Sequence, residues 1–222
     1  MKKLLALFIL LSLVLANHQS VFALLKSESG RKCSDIENGL IKNIIYSKTP
    51  IKSNVTIRLC DTRDFFGLMA GLPGKPVVYI STTGISELTD SGLEWLVLHE
   101  TGHYVLLHPY KWAAVQAVLI LIGIFIIISI HRRKPLFTIL IIPILVILVG
   151  LISTHFDRAQ EIQANQFALD RMPDSRGLQE GARALMRVYD PKKKVSFFEA
   201  FIRSNFYVWD STARQNMLKM NK

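Results

Sequence analysis

Two apolar runs, Ala113–Ile130 and Leu136–Ser153, are joined only by His131-Arg132-Arg133-Lys134-Pro135. Wound as α-helices, each run extends about 27 Å at ~1.5 Å per residue, close to the thickness of a bilayer core. Both are predicted to cross a membrane, and so short a connector makes them a hairpin. The polypeptide before residue 113 and the polypeptide after residue 153 are therefore expected on the same membrane face, where they can meet. Half of the 222 residues are hydrophobic and the mean hydropathy is +0.29, which excludes an ordinary soluble domain and is accounted for by membrane segments.

A third apolar run, Leu4–Ala16, follows Lys2 and Lys3 and leads through polar residues to Val21-Phe22-Ala23. That order suits a signal peptide cleaved after Ala23, with an uncleaved membrane anchor as the alternative; the topology is the same for both. The formal charge of +10 is no nucleic-acid footprint, because Lys2, Lys3, Arg132, Arg133 and Lys134 supply half of it and flank apolar runs. They place the N-terminus and the hairpin turn in the cytoplasm, and residues 24–112 and 154–222 outside it. Cys33 and Cys60 both fall in the first exported segment, where a pair of cysteines is expected to form a disulfide; two unrelated thiols are the alternative.

Just ahead of the hairpin the chain reads L-E-W-L-V-L-H-E-T-G-H-Y-V-L-L-H, from Leu93 to His108. On a helix His99 and His103 share a face and can hold one divalent metal, with Glu100 beside it as a base, which is the arrangement of a zinc hydrolase. Just after the hairpin, Arg158–Asp170 has helical periodicity with Glu161, Ala164, Asn165 and Ala168 on one face. A carboxylate flanked by alanines suits a third ligand, since small side chains allow a close approach of helices; a solvated surface glutamate is the alternative.

Elsewhere, apolar spacing predicts a helix over Ser34–Lys48, and β-branched runs predict strands at Val55–Leu59 and Val77–Ser81 with a loop over Asp61–Leu72. Thr89-Asp90-Ser91 is a helix-capping sequence. Further helices are predicted at Leu178–Tyr189, Phe197–Phe206 and Thr212–Met220. The fold class is mainly α with a small β-sheet.

The string from Thr83 to His103, the membrane hairpin, and E-I-Q-A-N-Q-F-A at Glu161–Ala168 together resemble the integral-membrane zinc peptidases of metallopeptidase family forty-eight, which include HtpX-type heat-shock proteases and CAAX prenyl endoproteases. The resemblance spans Val55–Leu169. It implies a zincin-like peptidase domain interrupted by the hairpin, divided as residues 1–23 (signal peptide or anchor), 24–112, 113–153 and 154–222. It further implies one Zn2+ per chain held by His99, His103 and Glu161, with Glu100 as general base, protein or peptide substrates, lipid contact and no nucleic acid. An extended substrate is expected to add to the strand Val77–Ser81.

Two positions depart from the family pattern. An aspartate is usual four residues after the ligand glutamate, where this chain has Asn165, whose amide oxygen can still accept a hydrogen bond from a ligand histidine. The family's histidine-proline pair ahead of a C-terminal arginine is replaced by Y-V-W-D-S-T-A-R. His155, Tyr207 and Arg214 are therefore the candidates for stabilising the oxyanion. A catalytically weakened sensor or binding protein on the same fold is the competing expectation.

Overall fold

A computed structural model of the chain describes residues 2–17, 33–61, 67–72 and 74–188. The expected cleavage site, the helices expected beyond residue 189, and Tyr207 and Arg214 lie outside the described residues. A four-stranded sheet forms from β1 (Cys33–Ile36), β2 (Thr56–Cys60), β3 (Gly67–Ala70) and β4 (Val77–Ser81) in the order β1-β2-β4-β3. β2 and β4 run parallel, with Ile57 opposite Val78, and β1 and β3 are antiparallel to their neighbours. Ile57, Val78 and Ile80 are buried, while Arg58 and Tyr79 on the other face meet each other, the guanidinium 5.7 Å from the ring centroid. That alternation is the period-two pattern of a sheet with one covered face.

Among the described residues, four helices and the sheet precede the two long apolar helices. α1 (Lys2–Asn17) is followed by α2 (Gly39–Lys48), capped by the Asn38 side chain, which accepts from the Ile41 amide. The single turn α3 (Thr82–Ser86) leads into α4 (Asp90–Val105), where Thr89 is the N-cap as expected and accepts from Gly92. Ile41, Ile44 and Ile45 of α2 pack with Leu96, Val97 and Leu98 of α4 over the sheet. Each such buried aliphatic contributes roughly 1.5–3 kcal/mol, which outweighs the poor helix propensity of the histidines, Thr101 and Gly102 that α4 also carries.

Among the described residues, α5 (His108–Arg133) and α6 (Pro135–Leu169) are the two helices long and apolar enough to cross a membrane. α1 packs on both, with Phe8 buried against Ile127, Ile142, Val146 and Val149. Gly123 is required there, because a Cβ would overlap the Phe8 ring. α7 (Arg176–Val188) returns to α4, and its Glu180 carboxylate accepts from both the Thr89 amide at 2.7 Å and the Thr89 hydroxyl at 2.6 Å. An acid at that helix N-terminus also complements the helix dipole.

The structure corrects several sequence expectations. The segment expected as one helix from Ser34 is divided: Cys33–Ile36 is a strand paired in register with β2, and the Cys33–Cys60 disulfide bridges the paired residues. The segment expected as a loop contains β3. Val77–Ser81 is interior, bonded on both edges, so it cannot take a further strand; β3 ends the sheet. The hairpin connector shrinks to Lys134 between two helices. The second apolar run and the Glu161 segment, read separately above, are one 35-residue helix, a rod of roughly 52 Å at ~1.5 Å per residue.

Candidate metal centre

α4 and α6 cross where both are thin. A Cβ on Gly102 would lie 3.3 Å from the Ala164 Cα and 3.2 Å from the Phe167 Cβ, so any side chain there would need the facing helix to give by a few tenths of an ångström. One turn along α4 from that crossing stand His99 and Glu100, and beside it His103. Glu161, one turn before Asn165 on α6, faces them. The small residues noted in the sequence thus lie at the contact.

His99 Nε2 and His103 Nε2 are 3.2 Å apart, and Glu161 Oε2 is 3.1 Å from the first and 3.5 Å from the second. These ligand atoms form the one His/Cys/Asp/Glu cluster of metal-binding size among the described residues, and all lie within 4.8 Å of one another. Glu161 Oε2 is buried without a well-directed hydrogen bond. Donors arranged about an ion at the usual zinc bond lengths of about 2.0–2.2 Å sit about 3.3 Å from each other in tetrahedral geometry. The observed separations fit that spacing, and two imidazoles with a carboxylate are a zinc-type donor set.

The rear nitrogens of both imidazoles are also engaged. His99 Nδ1 is 2.9 Å from Asn165 Oδ1, which the Trp95 indole N–H reaches as well at 3.3 Å. His103 Nδ1 is 3.0 Å from His108 Nδ1, and His108 Nε2 is 3.1 Å from Gln163 Oε1. His108 therefore sits behind His103, on the side away from Glu161, and not among the converging atoms.

Charges in the pocket are coupled. Burial raises the Glu100 carboxyl above its usual range, opposed by the His99 and His103 imidazoles and by a hydrogen bond from the Met69 backbone. Burial works against a charged His103, but the Glu161 carboxylate outweighs it and lifts the imidazole to about 9. Glu161, in spite of burial, is held far below the ordinary carboxylate range by His103 and His99. Asp157, one turn before Glu161, is raised to about 7, first by burial and then by the Glu161 charge.

Of the residues singled out in the sequence, His99, Glu100, His103, Glu161 and Asn165 come together. His155 is exposed on α6, six positions from Glu161 and so about 120° away around the helix. Sequence reasoning missed Trp95, Asp157 and Met69. Trp95 lies four residues before His99, the same spacing that identifies His103, and Asp157 four before Glu161; periodicity could have found both. Met69 reaches the site through the sheet, which leaves no local signal.

Residues 40–213 match the family model described as Peptidase family M48. Among solved structures, the chain is similar to the crystal structure of S. mikatae Ste24p, with a TM-score of 0.63 at 17% sequence identity. The similarity covers 97% of this chain and 56% of that one, so the chain spans little more than half the length of Ste24p. No curated protein matches it.

Proposed function

The chain belongs to peptidase family M48, and from that premise we propose that it is a membrane-anchored, zinc-dependent endopeptidase that cleaves extended segments of protein or peptide substrates. The observation that carries this reading is the convergence of His99 Nε2, His103 Nε2 and Glu161 Oε2 within 4.8 Å of one another, with Glu100 adjacent. Those three residues would hold one zinc ion. Bound there, zinc supplies a Lewis acid for the scissile carbonyl and lowers the pKa of water toward about 7.

The chain's own residues do the rest. Glu100 takes the proton of the attacking water and returns it to the leaving amine. The burial that raises its pKa favours that traffic, because a strongly acidic carboxylate holds a proton too briefly to pass it on. Asn165 fixes the ring of His99 from behind with its amide oxygen. β3 supports the substrate class: it ends the sheet and its Gly67 packs within van der Waals reach of Leu96 and Glu100. An unfolded segment added to that edge runs past the base and the ligands.

The catalytic side is proposed to be extracytoplasmic. The Cys33–Cys60 disulfide belongs to an oxidising compartment, and Lys2, Lys3, Arg132, Arg133 and Lys134 favour the cytoplasmic side for the opposite ends of the spans. Residues 1–23 serve as export signal or anchor in either case.

The test is metal analysis of detergent-purified protein, with degradation of an unfolded reporter protein before and after chelation. One zinc per chain, activity lost to the chelator and activity restored by zinc are expected. Undiminished degradation by metal-free protein would defeat the proposal.

A further inference from the structure

We infer that His108 is a positioning residue: gripped by Gln160 and Gln163 of α6, it accepts a hydrogen bond from His103 Nδ1–H and so aims the His103 Nε2 lone pair at the metal. The inference rests on the reading of His103 as a ligand.

Four observations carry it. The first is the chain of contacts His103 Nδ1 to His108 Nδ1 at 3.0 Å and His108 Nε2 to Gln163 Oε1 at 3.1 Å. The Gln163 oxygen can only accept, so His108 carries its proton on Nε2. That leaves a lone pair on His108 Nδ1, which can only accept from His103 Nδ1. His103 must then bear its proton on Nδ1 and keep Nε2 free, on the side where His99 Nε2 and Glu161 Oε2 wait.

The second observation is a backbone built to deliver this ring. α4 ends at Val105, and Leu107 takes the left-handed conformation, φ 58° and ψ 34°, among the described residues the one non-glycine residue with positive φ. A branched side chain adopts it only where the surroundings over-determine it. Here the reversal turns His108 back toward α4 and leaves the Leu107 side chain exposed. The third is a second grip from α6: Gln160 Nε2 donates to the His108 carbonyl at 3.1 Å. Gln160 and Gln163 flank Glu161 in sequence, so one turn of one helix supplies the third ligand and clamps the support of the second. The fourth is burial. His108 is 1% exposed and stacks edge-on to His103 at 4.9 Å, so water does not replace the contact.

His99 and His103 are thus supported differently, one by an amide oxygen on α6 and the other by an imidazole relayed to α6. Outer-shell partners of this kind typically change metal affinity by about 10- to 100-fold.

The experiment is a zinc competition titration against a chromophoric chelator, on full-length protein in detergent. The variants are His108→Phe, which keeps a ring but no acceptor, His108→Asn, which restores an acceptor, Gln163→Leu and His103→Ala. His108→Phe is expected to weaken zinc about 10- to 100-fold, His108→Asn to recover most of that loss, and Gln163→Leu to weaken binding several-fold. Wild-type affinity in His108→Phe, or equal loss in the Phe and Asn variants, overturns the inference. If His108→Phe does not fold, Gln163→Leu decides: a several-fold loss supports it and unchanged affinity overturns it. His103→Ala separates the two levels, because wild-type zinc binding there means that the ligand assignment itself has failed.

Discussion

Gly102 and Ala164 meet backbone to backbone at the crossing of α4 and α6, and a methyl group on Gly102 would already sit 3.3 Å from the Ala164 Cα. This contact sets the distance between two histidines on one helix and a carboxylate on the other. Glycine inside a helix costs about 1 kcal/mol relative to alanine, and what it allows here is the approach of Glu161 to the two histidines. Gly102→Leu forces the helices apart and is expected to lower zinc affinity by at least about 100-fold, since a ligand carboxylate moved by an ångström no longer shares an ion with the imidazoles. A competition titration reads it, and circular dichroism checks that the helices persist.

Glu100→Gln is expected to reduce peptide hydrolysis by several orders of magnitude while zinc stays bound, because the amide cannot take the water proton and no ligand changes. Turnover assays paired with metal analysis separate the two effects. Wild-type turnover in this variant is incompatible with Glu100 as the base.

Glu161→Ala removes a ligand and leaves two imidazoles, so zinc occupancy at nanomolar free metal is expected to collapse. Full occupancy would send the search for the third ligand elsewhere. His108 is a poor substitute, since its ring lies behind His103.

Asn165→Asp is expected to maintain or raise activity. Two donors, Trp95 Nε1 and His99 Nδ1, already point at the Oδ1 of residue 165, and a carboxylate accepts both with a charge that makes His99 a better ligand. Trp95→Phe in the same background tests whether the indole bond contributes. Activity below wild type in Asn165→Asp would show that the amide itself is required.

Zinc affinity is expected to fall with pH. In the metal-free protein Glu161 lifts His103 from 6.5 to about 9, so over most of the accessible range a metal must displace a proton from it. Apparent affinity should fall by about tenfold per pH unit below about 9 while one proton is displaced. The raised pKa has the opposite effect on the empty protein: its stabilising contribution is complete below about 6.5 and is lost as the pH climbs through about 9. Titrations and melting curves of both forms at several pH values test the two slopes.

How much of this was readable from the chain follows from the range of each interaction. The His99–His103 spacing and the Ala164-flanked Glu161 are local helical patterns, and both were legible. So was the cap at Thr89, a matter of neighbouring residues. The segment Cys33–Ile36 was misread because its strand exists through pairing with β2, more than twenty residues away. The interior position of Val77–Ser81 was hidden for the same reason, since strand order is decided between segments. Hydropathy divided α6 at Ser153, although the helix runs through to Leu169; the side-chain composition changes there, while the backbone does not. The role of His108 was out of reach, because it depends on the left-handed Leu107 and on side chains of α6.

The continuity of α6 has a consequence for the order of events during synthesis. His99, Glu100 and His103 leave the ribosome well before Glu161, and Glu161 reaches them only on a helix whose first half is apolar enough to cross a membrane. Until the hairpin has crossed and returned, the two histidines lack their carboxylate. Under the proposed function, the chain would therefore lack its complete metal centre through translation and insertion, and completion of its own topology would assemble it.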